Sequence, residues 1–281
     1  MDNNIGFALR QYLPILGVVL VWSSAYPLIK IALMYMSPII LAIIRLTIGG
    51  LILLIYGKGL IYGIKEFIGA LLNVAIFMIF LNLGVLLSTN PALSATLIYT
   101  QPVFVAIFNY FLFKERIGKL RFLGIIIAIS GAIYASGNIS INIGALISLL
   151  GGFLWAIGTV YYRKYLLDKD VIKLNSFFAL VSVPVLLPLV PYQNYFRFSL
   201  LGIFTAIIIG LTAQAMGFIL WFTSVKTLGA FKSSSLSLLV PALSYFFSYL
   251  ILGDIPTITE ILGSSLVLIG VILTNLASIK H

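Results

Sequence analysis

Residues Thr89–Ile133, TNPALSATLIYTQPVFVAIFNYFLFKERIGKLRFLGIIIAISGAI, decide the fold because a diverged second copy of them ends the chain. The second copy, Leu228–Leu273, reads LGAFKSSSLSLLVPALSYFFSYLILGDIPTITEILGSSLVLIGVIL. Four pairs of residues are separated by the same number of positions (241 − 102 = 139): Pro102 and Pro241, Glu115 and Asp254, Gly124 and Gly263, Gly131 and Gly270. The chain is therefore predicted to be a duplicated unit.

The composition is that of a protein embedded in a lipid bilayer. Of the 281 residues, 62% are hydrophobic and 9% are charged, whereas soluble domains carry about 25% charged residues. Apolar runs near the length of a bilayer-spanning helix recur along the whole chain. The sequence predicts an all-α polytopic membrane protein. The absence of cysteine excludes disulfides, thiolate catalysis and cysteine-based metal sites.

The apolar runs and their polar breaks predict ten transmembrane helices. Residues Met1–Pro14 resemble a signal peptide, but the apolar stretch continues too far and lacks a small-residue cleavage site, so it is interpreted as part of the first span. The predicted helices 1 to 10 are Tyr12–Tyr35, Pro38–Tyr56, Phe67–Leu87, Ala92–Phe113, Leu120–Gly137, Ile143–Leu166, Leu174–Tyr192, Leu200–Ser224, Gly229–Leu252 and Ile258–Ser278.

The duplication divides the chain into a first repeat, residues 1–137, and a second repeat, residues 138–281. The first helix of each repeat also matches, since Trp22 aligns with Trp155 at a slightly shorter offset (155 − 22 = 133). Five helices per repeat is an odd number, so the second repeat must cross the membrane in the opposite sense. The two repeats are therefore predicted to be inverted.

The distribution of Lys and Arg agrees with inverted repeats, because positive charge marks the cytoplasmic side of a membrane protein. The loop after helix 4 carries four cations, whereas its counterpart after helix 9 carries none. All but three of the 17 Lys and Arg residues fall on one side, the exceptions being Arg197, Lys30 and Arg45. Both termini are predicted to be cytoplasmic. The net charge of +10 reports this topology, and nucleic acid is not expected as a partner.

Inverted five-helix repeats are a recurring architecture of secondary transporters, in which the two halves move around a site near the midplane. The alternative is a duplicated scaffold without moving parts. An intramembrane enzyme would need a nucleophile and base or an acidic metal cluster, and the single histidine is the terminal His281. We expect a transporter with no catalytic residue, metal site or cofactor, and the chain has no ATP-binding motif.

Several short motifs, in both copies and in the same order, resemble one known family. They are Trp22 and Lys30 in helix 1, the segment PIILAIIR that opens helix 2, the segment Ser94–Pro102, Lys114–Glu115 after helix 4 and the glycine-rich helix 5. The chain resembles the ten-helix EamA branch of the drug/metabolite transporter superfamily. Lys114 stands where that family usually has glycine. The resemblance implies an exporter of metabolites or amino acids, with a central cavity lined by helices 1, 3, 4, 6, 8 and 9.

Lys30 and Arg45 are the two cations inside predicted spans, where each costs about 2.5–3.5 kcal/mol at a helix centre. Two interpretations of Lys30 stay open, a side chain that reaches outward to the membrane surface or a substrate ligand. For Arg45 the alternatives are hydrogen bonds to helix carbonyls or to Asp254 or Glu260, against a substrate-carboxylate or gating role. None of the seven acidic residues falls in the middle of a span, which favours anionic or zwitterionic substrates over cations.

Aromatic residues and amides complete the predicted substrate site. Trp22, Tyr26 and Lys30 repeat every four residues and share one face of helix 1, as Trp155, Thr159 and Arg163 do on helix 6. Their alternative role is packing. The candidate binding residues are Trp22, Tyr26, Lys30, Arg45, Asn73, Phe77, Tyr99, Gln101, Trp155, Thr159, Gln214, Trp221, Ser237 and Tyr245. The amides have the alternative role of hydrogen bonding between helices.

Proline and glycine mark places where the helices bend or approach closely. Pro102 and Pro241 each remove a helix hydrogen bond, and kinks there are either gates or static bends. Pro27 in helix 1 frees the carbonyl of Ser23 in the same way. The glycines of helices 5 and 10 recur every seven residues and favour close helix packing, with a dimer contact as one use. A monomer and a homodimer both stay open.

These observations predict a secondary transporter that works by alternating access in the cell membrane. The predicted substrate is a small neutral or anionic metabolite, with amino acids first, and the predicted direction is export by the family resemblance. A sugar-phosphate or nucleotide-sugar antiporter and a multidrug exporter are the alternatives. The expected partners are the small-molecule substrate and the lipid bilayer.

Overall fold

The computed structural model describes residues 2–114, 117–136, 142–192, 195–228, 233 and 236–276, with side chains for all of these except residues 2–10, 136, 275 and 276. The described residues form ten helices. Their bounds, for α1 to α10, are Asp2–Ala32, Pro38–Gly57, Ile64–Leu87, Pro91–Phe113, Lys119–Ser136, Ile143–Tyr165, Val171–Tyr192, Leu200–Leu228, Leu239–Leu252 and Ile258–Leu276.

The helices confirm the predicted all-α membrane fold. Seven of the described helices are long and apolar enough to cross a bilayer, and Leu239–Leu252 and Ile258–Thr274 are shorter apolar helices. α1 begins at Asp2 instead of Tyr12 and α8 ends at Leu228 instead of Ser224, because hydropathy marks only the apolar part of a helix and not its polar ends. The predicted start of helix 9 at Gly229 and the predicted end of helix 10 at Ser278 lie outside the described residues.

Polar caps and proline set the starts of several helices. Asn90 caps α4, since its side-chain oxygen accepts a hydrogen bond from the backbone nitrogen of Ala92 at 2.9 Å, and Pro91 occupies the first turn. Ser37 caps α2 in the same way, followed by Pro38. Proline is favoured there because the first helical N–H has no partner within the helix.

Counterpart helices of the two repeats pack against each other antiparallel. Along α5, Gly124 lies against Gly270 and Thr274 of α10, and Gly131 lies against Gly263 farther toward the start of α10. A Cβ atom at residue 263 would overlap the backbone nitrogen of Ala135. The glycines therefore serve close packing within the chain. A dimer contact was one predicted use of these glycines, and the structure shows that they form a contact between two helices of the same chain.

The second pair of counterparts, α2 and α7, shows the same arrangement. Gly50 of α2 packs against Leu180 of α7, while Gly57 packs against Ile172 nearer the start of α7. The Ser176 hydroxyl donates a hydrogen bond to the Gly50 carbonyl at 3.1 Å. In the remaining helices α1 packs on α8 and α9, and α6 packs on α3 and α4. The α2–α7 and α5–α10 pairs are thus both antiparallel, as inverted repeats require. The predicted boundary at residues 137 and 138 lies outside the described residues.

In the part of the chain that the structure describes, two pairs of counterpart helices are interrupted at equivalent places. α4 breaks at Tyr99 and Thr100, just before Pro102, and a turn at Leu238 precedes Pro241 at the start of α9. α3 contains a π-helical turn at Leu71–Ala75 and α8 contains one at Gly210–Met216. π-Helical turns inside α-helices occur frequently at functional sites.

Candidate functional site

The first group of predicted residues, which we call the Trp155 cluster, consists of Phe77, Tyr99, Gln101, Trp155 and Thr159. The Trp155 ring stacks on Phe77 with ring centroids 5.2 Å apart and meets Tyr99 edge to face at 6.1 Å. One turn along α6, the Thr159 hydroxyl accepts a hydrogen bond from the Gln101 amide at 2.8 Å. Helices α3, α4 and α6 thus combine an aromatic wall with a polar edge.

The second group, the Trp22 cluster, consists of Trp22, Phe218 and Trp221. The Trp22 ring lies 5.7 Å from Trp221 and 6.0 Å from Phe218. Its indole N–H donates a hydrogen bond to the carbonyl of Ala213, which belongs to the π-helical turn of α8, at 3.1 Å. Trp22 and its counterpart Trp155 are therefore the centres of two clusters at equivalent places in the two repeats.

Arg45 of α2 and Gln214 of α8 form a buried pair beside the Trp22 cluster. Arg45 is 5% exposed and Gln214 is 1% exposed. The Arg45 Nη2 donates to the Gln214 Oε1 at 3.3 Å, while Nε and Nη1 of Arg45 have no hydrogen-bond partner. The helices approach closely because residue 49 is glycine, and a Cβ there would overlap the Cγ of Gln214.

Tyr26 is a further predicted binding residue near this pair. It is buried, and it lies near enough to interact electrostatically with both Arg45 and Tyr99. Arg45 does not reach Asp254 or Glu260, which was one alternative from the sequence. Asp254 instead faces Lys30, and Glu260 accepts a hydrogen bond from the backbone nitrogen of Thr257 at the start of α10. Those carboxylates belong to the end of the bundle.

Asn73 lies in the π-helical turn of α3, as Gln214 lies in that of α8. Its side-chain amide donates to the Gly69 carbonyl of its own helix and to the Gly158 carbonyl of α6, both at 3.0 Å. The amide therefore forms a hydrogen bond between helices in this conformation. The substrate-binding role of Asn73 stays a prediction.

Lys30 has a structural role that the sequence did not indicate. Its ammonium donates to the carbonyls of Val85, Leu86 and Ser88 at 3.0, 2.8 and 2.8 Å. These carbonyls are at the C-terminal end of α3, where unpaired carbonyls give the helix a partial negative charge. Because an ammonium has three N–H donors, all the hydrogen bonds that Lys30 can donate go to the carbonyls at this helix end.

Replacing Lys30 with methionine is therefore expected to destabilise the protein by about 1–3 kcal/mol, since three carbonyls lose a charged donor. The measurement is thermal unfolding of the purified protein in detergent. The matched control is Lys65→Met, because Lys65 is an exposed lysine whose ammonium lies 5.7 Å from the Tyr165 ring. Equal unfolding temperatures for the two variants would show that the three hydrogen bonds contribute nothing.

At the same end of the bundle, two carboxylates of the second repeat, Asp254 and Glu260, lie close to residues of the first repeat. Partial burial raises the pKa of the Asp254 carboxyl above its ordinary value, and the nearby Lys30 ammonium opposes that rise. The Thr89 hydroxyl, in the loop after α3, donates to the Glu260 carboxylate at 3.4 Å. These interactions join the two repeats outside the membrane-spanning segments.

The carbonyl that Pro27 frees has found a partner in the second repeat. As expected for a proline in a helix, the Ser23 carbonyl has no backbone donor from residue 27, and it accepts a hydrogen bond from the Ser244 hydroxyl of α9 at 3.3 Å.

Breaks are present next to both Pro102 and Pro241. Their predicted gating role stays a prediction.

The last two predicted binding residues, Ser237 and Tyr245, belong to neither cluster. Ser237 is buried just before α9. The Tyr245 hydroxyl shares a hydrogen bond with Ser264 of α10 at 2.8 Å, so its polar end faces α10. The sequence reasoning missed Phe218 and Ser244. The signal for Phe218 was its spacing of four residues from Gln214 on one face of α8.

Comparisons with known proteins agree with a duplicated all-α membrane fold. A profile of the EamA-like transporter family matches residues 9–137 and again residues 142–276. The uncharacterized transporter YoaV of Bacillus subtilis is 25% identical over 95% of this chain and 97% of its own. A probable amino-acid metabolite efflux pump of Salmonella typhimurium is 22% identical over 90% of each chain. A protein crystal structure with 17% identity matches 95% of this chain and 98% of its own with a TM-score of 0.70, which shows the fold.

Proposed function

Because the chain belongs to the EamA-like transporter family, we propose that it exports an amino acid or a related neutral or anionic metabolite by alternating access. The chain is a multi-pass membrane transporter and not an enzyme. The name of the Salmonella typhimurium relative, a probable amino-acid metabolite efflux pump, supports this substrate class and the outward direction. Both are proposals for this chain.

The observation that carries the proposal is the incompletely paired guanidinium of Arg45. A buried charge is unfavourable unless it is paired and hydrogen-bonded. Arg45 has one neutral hydrogen-bond acceptor, and two of its nitrogens have none. A substrate carboxylate would supply both the missing acceptors and the missing negative charge.

The aromatic residues would contact the part of the substrate that Arg45 does not bind. In the Trp155 cluster, Trp155, Phe77 and Tyr99 present ring surfaces, and Gln101 with Thr159 provides polar atoms. Tyr26 is buried within electrostatic range of both Arg45 and Tyr99 of this cluster. A small molecule with a carboxylate at one end and an apolar group at the other fits these two environments.

Transport would use the symmetry of the two repeats. The interruptions in α3, α4, α8 and α9 fall at equivalent places, so each repeat has the same sites of bending. Motion of one unit against the other would expose the site to each side in turn. We propose Pro102 and Pro241 as the gating positions, and both termini on the cytoplasmic side of the cell membrane because the cations cluster there.

A sugar phosphate is the second candidate substrate, since guanidinium groups bind phosphate as well as carboxylate. Its antiport would use the same Arg45. A multidrug exporter of cations fits less well, because the described carboxylates lie in loops or in the first turns of helices, as Glu66 and Glu260 do. Such a carrier needs an acidic group in the membrane to hold the cation.

Counterflow in proteoliposomes tests the proposal, with labelled amino acids, sugar phosphates and cationic dyes as substrates. We expect saturable counterflow of a neutral or acidic amino acid, reduced at least ~10-fold by Trp155→Ala, since stacked aromatic contacts are lost. The matched control is Tyr134→Ala, because Tyr134 is an exposed aromatic residue on α5. Counterflow restricted to sugar phosphates would favour the second candidate, and dye transport driven by a pH gradient would refute both.

A further inference from the structure

The partner of Arg45 is a neutral amide at a position where an acid of the same length would fit. Gln214 places its Oε1 3.3 Å from the Arg45 Nη2. Glutamate differs from glutamine by one terminal atom and would put a carboxylate oxygen in the same place. The difference between the two residues is therefore the charge of the pair, which is positive with glutamine and zero with glutamate.

We propose that Gln214 determines the charge selectivity of the carrier, by leaving the positive charge of Arg45 for an anionic substrate group to neutralise. The inference rests on the proposed function, because it assigns a ligand class to the same site. The ligand class is small molecules with a carboxylate or another singly charged anionic group.

Several structural features hold Gln214 in this role. It lies in the π-helical turn of α8, where the Trp22 indole binds the adjacent Ala213 carbonyl. The Gln214 side chain also packs against Gly49 of α2. Because of this close packing and an exposure of only 1%, the side chain has little freedom to turn away from Arg45. Its amide oxygen is therefore a fixed, uncharged acceptor.

A carboxylate at position 214 would change the site in a defined way. It would form an ion pair with Arg45 inside the protein, in the low-dielectric interior where charged hydrogen bonds are strong. A substrate carboxylate would then meet a neutral pair and a nearby negative charge. The affinity for anions is expected to fall roughly 10- to 100-fold, the equivalent of one charged hydrogen bond.

The experiment compares Gln214→Glu with Gln214→Met in the full-length protein. Binding of L-leucine and of L-leucinamide, which lacks the carboxylate, is measured by ligand-dependent thermal shift and by calorimetry, with acetate and inorganic phosphate as simple anions. We expect wild type and Gln214→Met to prefer leucine over leucinamide, because both keep an unneutralised Arg45. Gln214→Glu is expected to lose that preference.

Unfolding without any ligand gives a second readout. Gln214→Glu is expected to raise the unfolding temperature by about 2–4 °C, since completing a buried charge pair stabilises the protein. Gln214→Met is expected not to raise it. The matched control is Asn175→Asp on α7. The Asn175 amide donates within its own helix, to the Val171 carbonyl, so this variant should leave anion binding unchanged.

The outcomes separate this inference from the proposed function. Equal loss of leucine binding in both Gln214 variants would indicate a packing role for Gln214 and overturn the inference, as would unchanged leucine affinity in Gln214→Glu. If wild type binds acetate or phosphate but not leucine, the amino-acid proposal fails. The charge inference is then decided by whether Gln214→Glu alone loses the simple anions. Wild-type protein that binds none of these anions overturns both.

Discussion

Gly263→Val is expected to prevent the protein from folding or to leave it severely destabilised. Any side chain at residue 263 would overlap the backbone of α5 at Ala135, and a backbone cannot rotate away as a side chain can. Overpacking of a core costs about 1–3 kcal/mol, occasionally more. We expect a loss at the upper end, roughly 3 kcal/mol, because α5 and α10 would have to separate along much of their length. The measurement is the yield of monodisperse protein and its thermal unfolding in detergent.

The control for this variant is Gly118→Val, since an added Cβ at Gly118 meets no atom within 4 Å. It should fold with nearly the stability of wild type, because surface substitutions usually change stability by less than about 0.5 kcal/mol. Similar yields and unfolding temperatures for both variants would mean that the α5–α10 contact is looser than the structure indicates.

Arg45→Met is expected to abolish most transport while leaving the fold intact. Methionine fills a similar volume and removes an incompletely paired buried charge, so stability should be unchanged or increased. Transport loses the charged hydrogen bonds to the substrate. We expect kcat/KM for amino-acid counterflow to fall roughly 100-fold, equivalent to about 2.7 kcal/mol.

Arg197→Ala is the matched control for the loss of an arginine, because Arg197 is an exposed arginine in the loop before α8. Its transport should equal that of wild type. The unfolding temperature of Arg45→Met must be measured in parallel, so that lost transport is not confused with lost protein. Full activity of a stable Arg45→Met protein would remove Arg45 from the binding site.

The sequence predicted the architecture well because a bilayer constrains a chain strongly. Apolar runs of about twenty residues follow from the thickness of the bilayer, and the offset shared by matched residues of the two repeats, such as Pro102 and Pro241, reveals the duplication. The breaks beside Pro102 and Pro241 were predictable because proline cannot donate a helix hydrogen bond. Local chemistry was sufficient for these features.

The partners of individual side chains were less predictable. The sequence leaves Lys30 open between the membrane surface and the substrate, and it does not indicate the hydrogen bonds that Lys30 donates to the end of α3, more than fifty residues away in sequence. For Arg45 the sequence leaves helix carbonyls, Asp254, Glu260 and a substrate carboxylate open as partners, and the structure pairs it with Gln214, which is not among them. Such pairs depend on how helices cross, and a single sequence carries no direct signal of helix crossing.

The pairing of α5 with α10 also has a consequence for biosynthesis. The chain is made from its N-terminus, and residues in contact along these two helices, such as Gly131 and Gly263, are more than a hundred positions apart. At 5–20 residues per second, translation of that interval takes on the order of ten seconds. During that time the glycine face of α5 has no permanent neighbour in the nascent chain. Insertion of the last helix thus completes the packing of the first half, and truncation before α10 should leave α5 exposed to quality-control proteases.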